Sequence, residues 1–167
     1  LILWGPPGSG KTTLARVIAK EVNAEFIELS AVTSGKKDVE KVIEHARQNW
    51  NLQLRTVLFV DEIHRFNKAQ QDALLPAIEK GIVRLIGATT ENPSFALNAA
   101  LLSRVQVLVL TLLDKPALQA ILARTEAYLG TSLPVDEAAR DALIEMAEKD
   151  EGGDIKLPIT SLYPPET

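Results

Sequence analysis

The chain contains no cysteine, which excludes disulfides, cysteine-ligated zinc and thiol nucleophiles, and agrees with a reducing compartment. It has no run of about 18 apolar residues, the length a membrane-crossing helix requires. Leu1–Trp4 is apolar but carries no positive charge and runs straight into Gly5, so it does not read as a secretory leader. A chain that opens on a core strand predicts further sequence upstream. A strong basic excess is also missing: 18 Lys and Arg stand against 22 Asp and Glu, for a net charge of −4. A wholesale nucleic-acid grip is thereby excluded, whereas a local phosphate-contacting patch is not. There is no internal repeat and no low-complexity tract, and a hydrophobic share of 46% excludes general disorder.

What is present is an alternation of short strand and helix patterns. Strands are predicted at Leu1–Trp4, Glu25–Leu29, Thr56–Val60, Ile82–Ala88 and Val105–Leu110. The run Thr56–Val60 is β-branched and nearly continuous, as in a central parallel strand covered on both sides. Helices are predicted at Thr12–Val22, with Leu14, Val17, Ile18 and Glu21 at helical spacing, at Lys36–Asn49, with Val39, Val42, Ile43 and Ala46 in one stripe, and at Lys68–Lys80. Pro76 is expected to kink or break the last of these, Gly81 to stop it, and Phe95–Leu102 to form one short helix. The pattern implies an α/β fold with a mostly parallel sheet and helices on both faces. The residues alone do not fix the strand order.

Charge divides the chain. Residues 1–110 carry 13 basic against 11 acidic residues, and residues 111–167 carry 5 against 11, so a domain boundary is expected near residue 110. Beyond it Lys115–Leu129 and Asp136–Lys149 read as helices, the second with Asp136 as N-cap and Ala139, Leu143, Ile144 and Ala147 as its apolar stripe. The tail from Gly152, with Pro158, Pro164 and Pro165, is expected to be irregular.

The most specific signal is Gly5-Pro6-Pro7-Gly8-Ser9-Gly10-Lys11-Thr12, followed by Thr13. Residues 5–12 match the whole phosphate-loop pattern between an apolar strand and an amphipathic helix. The glycines permit a tight turn with inward amides, which with the helix N-terminus make an anion nest. Lys11 brings a positive charge to the outer phosphates of a nucleoside triphosphate, and the Thr12 hydroxyl can ligate Mg²⁺. The cofactors this predicts are ATP and Mg²⁺.

Asp61 and Glu62 follow the buried strand Thr56–Val60, and ligands of parallel sheets sit at the C-terminal strand edge. Asp61 is the candidate metal ligand, and Glu62 the candidate carboxylate that polarises water for attack on the γ-phosphate. An exposed acidic pair without function is the alternative. Two adjacent carboxylates repel unless a cation is present, which favours the functional reading. His64 either relays a conformational change or makes only local hydrogen bonds, and Arg65 and Lys68 face a partner, DNA or solvent. Strand Ile82–Ala88 ends in Thr89-Thr90-Glu91-Asn92-Pro93. Thr90 is the candidate γ-phosphate sensor, with Asn92 its rival and a turn role the alternative. Arg104 either reaches the nucleotide of an adjacent subunit or is a surface arginine.

The stretches GPPGSGKTT at 5–13, LSAVTSGKKD at 29–38, TVLFVDEIHRFNKAQQDALLP at 56–76 and LIGATTENPSFALNAALLSR at 85–104 resemble the replication-associated recombination protein A family. Its eukaryotic relative is the Werner-helicase-interacting ATPase, and both belong to the clamp-loader-like branch of the AAA+ ATPases. The resemblance covers about residues 1–150. It implies a sheet in the order 5-1-4-3-2 followed by a helical lid, so that 1–110 is the nucleotide-binding core and 111–167 a partial lid. It implies a DNA-dependent ATPase of replication-fork maintenance and recombination, cytoplasmic and nucleoid-associated. The implied partners are single-stranded or forked DNA, copies of itself in a tetramer, and single-stranded DNA-binding protein. By matching position Lys11 and Thr12 are Walker A residues, Asp61 and Glu62 Walker B residues, Thr90 the first sensor and Arg104 the finger into the next subunit.

The sequence departs from the family in two places. The family has a segment before the first strand that helps hold adenine, whereas this stretch starts at Leu1. Gly153-Asp154 is followed by Ile155-Lys156-Leu157-Pro158 rather than by an arginine that senses nucleotide, and no arginine follows Arg140. Weak or absent turnover is therefore expected of this stretch alone. The competing functions are a clamp-loader or branch-migration subunit, a phosphotransferase acting on a small metabolite, and a nucleotide-binding module without hydrolysis.

Overall fold

A computed structural model describes residues 1–149, with side chains up to residue 145. The expected irregular tail, the Gly153-Asp154 departure and the side chain of Ala147 lie outside the described residues. The chain divides into two compact units, Leu1–Thr111 and Leu112–Thr167.

The first unit is a five-stranded parallel sheet: β1 (Ile2–Trp4), β2 (Ala24–Ser30), β3 (Arg55–Asp61), β4 (Arg84–Thr89) and β5 (Val107–Val109). The order is β2-β3-β4-β1-β5, which is the expected 5-1-4-3-2 read from the opposite edge. Alternation along β3 divides the core between the two faces. Val57 and Phe59 pack with Leu3, Ile86, Ala15 and Ala19 on one face, and Leu58 and Val60 with Ile2, Val39, Ile43 and Leu74 on the other. The first face is covered by helix α1 (Lys11–Glu21), the second by α2 (Lys36–Asn51) and α3 (Lys68–Glu79).

Three local expectations change. In α1 the fully buried residues are Ala15 and Ala19, with Leu14 and Ile18 beside them, whereas Val17 is 51% exposed and Glu21 is also exposed. The small alanines form the contact line, and Val17 falls on the outer side. Pro76 does not break α3, which runs one turn past it to Glu79. Burial of Leu74 and Ala77 on either side offsets the missing amide bond. The stretch Phe95–Leu102 is not one helix but two single turns, α4 (Pro93–Ala96) and α5 (Ala99–Leu102). Asn92 accepts from Ser94 N to start the first, Leu97 is extended, and Asn98 accepts from Leu101 N to start the second.

At the other end of α3, Asn67 Oδ1 accepts from Gln70 N (2.9 Å) and Gln70 Oε1 from Asn67 N (3.0 Å), a reciprocal capping box. Gly81 follows the helix at φ +69°, the left-handed stop expected there.

Gly5 is required for clearance. A Cβ at this position would lie 2.3 Å from Leu110 O, a backbone atom that cannot swing away. Gly5→Ala is expected to cost about 2 kcal/mol or more of stability, read as a lowered urea midpoint. A midpoint equal to the parent's would show that β1 and the segment after β5 are less closely held than described.

The second unit contains α6 (Lys115–Leu129) and α7 (Glu137–Lys149). Asp114 caps α6 by accepting from Ala117 N (3.0 Å), and Gly130 closes it at φ +66°. Asp136 accepts from Ala139 N (2.7 Å) as the N-cap of α7. The two helices pack together and an ion pair of Arg140 with Glu126 joins them, and Ile144 on α7 is buried. That pair holds the Glu126 carboxyl below its ordinary range. Among the described residues, no helix is long and apolar enough to cross a membrane.

Candidate active site

The sheet register brings the chemistry-bearing ends together. Trp4, which leads into the glycine loop, pairs with Thr89 at the end of β4, while Val60, one residue before Asp61, pairs with Gly87. The loop, the acidic pair and the end of β4 therefore share the C-terminal edge of three adjacent strands, β1, β4 and β3.

The loop is held at its root and open at its tip. Gly5 N–H donates to Thr89 O (3.2 Å) and Ser9 N–H to Pro6 O (3.4 Å). Gly8 and Gly10 have φ of +74° and +81°, the left-handed region that favours glycine, and a Cβ on either would meet nothing within 4 Å. At these two positions backbone conformation, not clearance, requires glycine. Among the described residues, none accepts from the amides of Gly8, Gly10, Lys11 or Thr12. Unsatisfied donors at the N-terminus of an 11-residue helix are the donor type that an anion site uses. Pro6, Pro7 and Ser9 complete the loop, Thr12 is half-buried in the first turn of α1, and Thr13 beside it is exposed.

The Lys11 ammonium folds over this loop, donating to Gly5 O (2.9 Å), Pro6 O (2.7 Å) and Ser9 Oγ (3.4 Å). Burial pushes it below its ordinary pKa, while the Asp61 and Glu62 carboxylates pull in the opposite direction. The acidic pair and the lysine, 50 residues apart in the chain, thus share one electrostatic neighbourhood.

Asp61 is half-buried, and its Oδ1 accepts from Glu62 N (3.1 Å). Glu62 adopts φ +52°, a left-handed conformation uncommon for a residue with a side chain. Its Oε2 accepts from Arg65 Nε at 2.7 Å, so in this conformation the carboxylate is engaged. Among the described residues, no group of three acidic, histidine or cysteine side chains could hold a metal alone. One carboxylate and one hydroxyl beside a phosphate nest instead fit Mg²⁺, which keeps waters and takes phosphate oxygens as ligands.

At the end of β4, Thr89 is buried and Thr90 exposed. Thr89 Oγ1 lies 3.0 Å from His64 Nδ1 and accepts from Glu91 N at 3.0 Å. Asn92, the rival sensor, uses its side chain to cap α4, a turn role. β4 extends one residue beyond the expected end at Ala88, to Thr89. The available signal was that Thr89 continues the apolar run from Leu85 to Ala88.

Arg104 follows α5. Its guanidinium contacts Glu79 (2.6 and 2.7 Å), Ala100 O (2.7 Å) and Ser103 Oγ (2.8 Å), and it bonds neither to the glycine loop nor to the acidic pair of its own chain.

Comparison with known proteins gives a concordant result. The ATPase family associated with various cellular activities (AAA) matches residues 1–112. The chain is 52% identical over 155 residues to replication-associated recombination protein A of Escherichia coli K12, covering 90% of this chain and 35% of that protein. It is 52% identical over 153 residues to ATPase WRNIP1 of Dictyostelium discoideum, covering 89% of this chain and 18% of that protein. Among solved structures, the Thermotoga maritima RuvB Holliday junction branch migration motor is similar with a TM-score of 0.64 and 33% identity, over 84% of this chain and 46% of that one. The chain thus spans about a third of the length of the bacterial relative.

Proposed function

Since the chain belongs to the ATPase family associated with various cellular activities (AAA) and is closely related to replication-associated recombination protein A, we propose that it is the ATP-hydrolysing core of a DNA-dependent ATPase acting in replication-fork maintenance and recombination. Membership in that family implies ATP binding. The observation that carries the rest is the meeting of unsatisfied loop amides, Lys11 and the Asp61–Glu62 pair at one sheet edge.

In this reading the amides of Gly8, Gly10, Lys11 and Thr12 cradle the β- and γ-phosphates, and Lys11 Nζ leaves its own loop carbonyls for the outer phosphate oxygens. The Thr12 hydroxyl and Asp61 would hold Mg²⁺, which would supply positive charge to offset that of the phosphates. Glu62 exchanges Arg65 for the attacking water and polarises it, and Thr90 orients the γ-phosphate or that water. The second unit acts as a partial lid.

Arg104 is assigned to the neighbouring subunit's nucleotide, because its surface position leaves it outside its own chain's site. Arg104→Ala is then expected to lower turnover only in the assembly, by roughly 1,000-fold or more if it acts as an arginine finger. Mixing it with a Glu62→Gln variant tests this. Restored activity at mixed interfaces supports a role between subunits, and a defect confined to each chain overturns it.

The test of the whole proposal is ATP turnover by the whole protein with no DNA, single-stranded DNA and forked DNA. Stimulation by DNA supports it. An acceptor-dependent release of ADP without DNA stimulation would assign a metabolite phosphotransferase instead. The likeness to a branch migration motor favours one second reading, a branch-migration subunit. Stimulation confined to four-way junctions would select it. The homo-tetramer and the single-stranded DNA-binding protein partner belong to the same proposal, and light scattering and co-sedimentation test them.

A further inference from the structure

We infer that His64 is a positioning residue for ATP hydrolysis, fixing the acidic turn after β3 against the end of β4 through the Thr89 hydroxyl; this rests on the ATPase reading above. His64 lies on the single 3₁₀ turn Ile63–Arg65, directly after Asp61 and Glu62. Its side chain is only 7% exposed, whereas the next residue, Arg65, is open to solvent. A buried imidazole needs partners on both nitrogens. Nδ1 is 3.0 Å from Thr89 Oγ1, and Nε2 is 3.6 Å from Glu91 Oε1.

Thr89 is the node of the arrangement. Its carbonyl takes the Gly5 amide at the root of the phosphate loop. Its hydroxyl meets His64, accepts from Glu91 N at 3.0 Å and lies 3.2 Å from Glu91 O. The sequence neighbour of this node is Thr90, the proposed sensor. One buried threonine therefore links the phosphate loop by its backbone and the acidic turn by its side chain.

Proton accounting narrows the state of His64. If the Thr89 hydroxyl donates to Nδ1, then Nε2 carries the proton and faces the Glu91 carboxylate. If Nδ1–H donates instead, the hydroxyl turns to Glu91 O, and a neutral imidazole would present a lone pair to a carboxylate. That arrangement is repulsive unless Nε2 is protonated as well. In either form Thr89 Oγ1 and His64 Nδ1 share one hydrogen bond, whichever of them donates.

An apolar side chain could fill the same space without this polar fit. What the imidazole adds is a fixed distance between the Thr89–Glu91 turn and the Asp61–Glu62 turn. In-line attack on a phosphate depends on such placement, and a misplacement of about 1 Å can cost roughly 100-fold in rate.

The test compares His64→Ala, His64→Asn, Thr89→Val and Thr89→Ser with the parent and with Glu62→Gln, all in the whole protein. Steady-state kcat and KM for ATP, the affinity for a fluorescent ADP analogue and the melting temperature are measured. His64→Ala and Thr89→Val are expected to lower kcat roughly tenfold or more with ADP affinity within about twofold of the parent. The double variant combining His64→Ala with Thr89→Val, measured alongside, should be no worse than either single one, since both remove one contact. Asparagine, which returns a polar atom near the Nδ1 position, and serine, which keeps the hydroxyl, should recover most of the rate.

Turnover of His64→Ala and Thr89→Val within about twofold of the parent, with Glu62→Gln inactive, overturns the inference and leaves the ATPase reading intact. So does a parallel fall of kcat, ADP affinity and melting temperature without rescue, which is the mark of a purely structural contact. If His64→Ala does not fold, the Thr89→Val and Thr89→Ser pair decides alone, and equal rates overturn the inference. Continued hydrolysis by Glu62→Gln instead removes the ATPase reading itself.

Discussion

Changing Lys11 to alanine is expected to abolish useful nucleotide binding while leaving the fold in place. The ammonium is the only cationic side chain in the loop Gly5–Thr12, and its three present partners are oxygens of that same loop. A triphosphate offers it anionic oxygens instead. Two charge-assisted hydrogen bonds of this kind contribute about 3 kcal/mol or more, roughly 100-fold or more in Kd. Removing a partly desolvated ammonium also relieves a burial cost, so the melting temperature should move little. Calorimetric titration with ADP and ATP checks this. Unchanged affinity would mean that the loop amides do not hold phosphate, and the central assignment would fall.

The second large effect is expected of Glu62→Gln, with the reverse signature. Binding should be retained and hydrolysis should fall by roughly 100-fold to 10,000-fold, the range that a positioned general base contributes. The substitution preserves shape and a hydrogen-bond acceptor for Arg65, and removes only the charge. The exposed Glu62–Arg65 pair contributes at most about 1 kcal/mol, so lost stability cannot account for lost turnover. Phosphate release at saturating ATP, paired with binding of a labelled analogue, separates the two quantities. If the variant turns over as fast as the parent, another group polarises the water, or the protein binds ATP without hydrolysing it.

What was legible in the sequence shares one property: the relevant residues are close together in the chain. The phosphate loop is eight consecutive residues between a strand and a helix, and Asp61-Glu62 ends an apolar run that could only be a buried strand. The strand order was legible through the family resemblance and not from periodicity. The acidic pair and Lys11 meet because of that order, which brings residues 50 positions apart to one edge. The role of Thr89 depends on register, since it faces Trp4 on one side and is reached by a side chain 25 residues earlier in the chain. No local pattern records such a contact. The break in Phe95–Leu102 was signalled by two asparagines, Asn92 and Asn98, whose caps compete with continuing the helix. Val17 was misplaced because hydrophobic spacing marks apolar residues and overlooks the alanines that allow a helix close to a sheet.

The contrast between the two ends of the phosphate loop has a consequence for its dynamics. Gly5 N–H is locked to Thr89 O, whereas the amides of Gly8, Gly10, Lys11 and Thr12 have no acceptor among the described residues. In deuterated solvent the first should exchange with the slow kinetics of the central sheet, and the others within the dead time of the measurement. A ligand that quenches exchange at the tip without altering the root would be engaging a preformed receptor by local ordering alone. The free energy of its capture would then be spent on a few residues and not on reshaping the sheet.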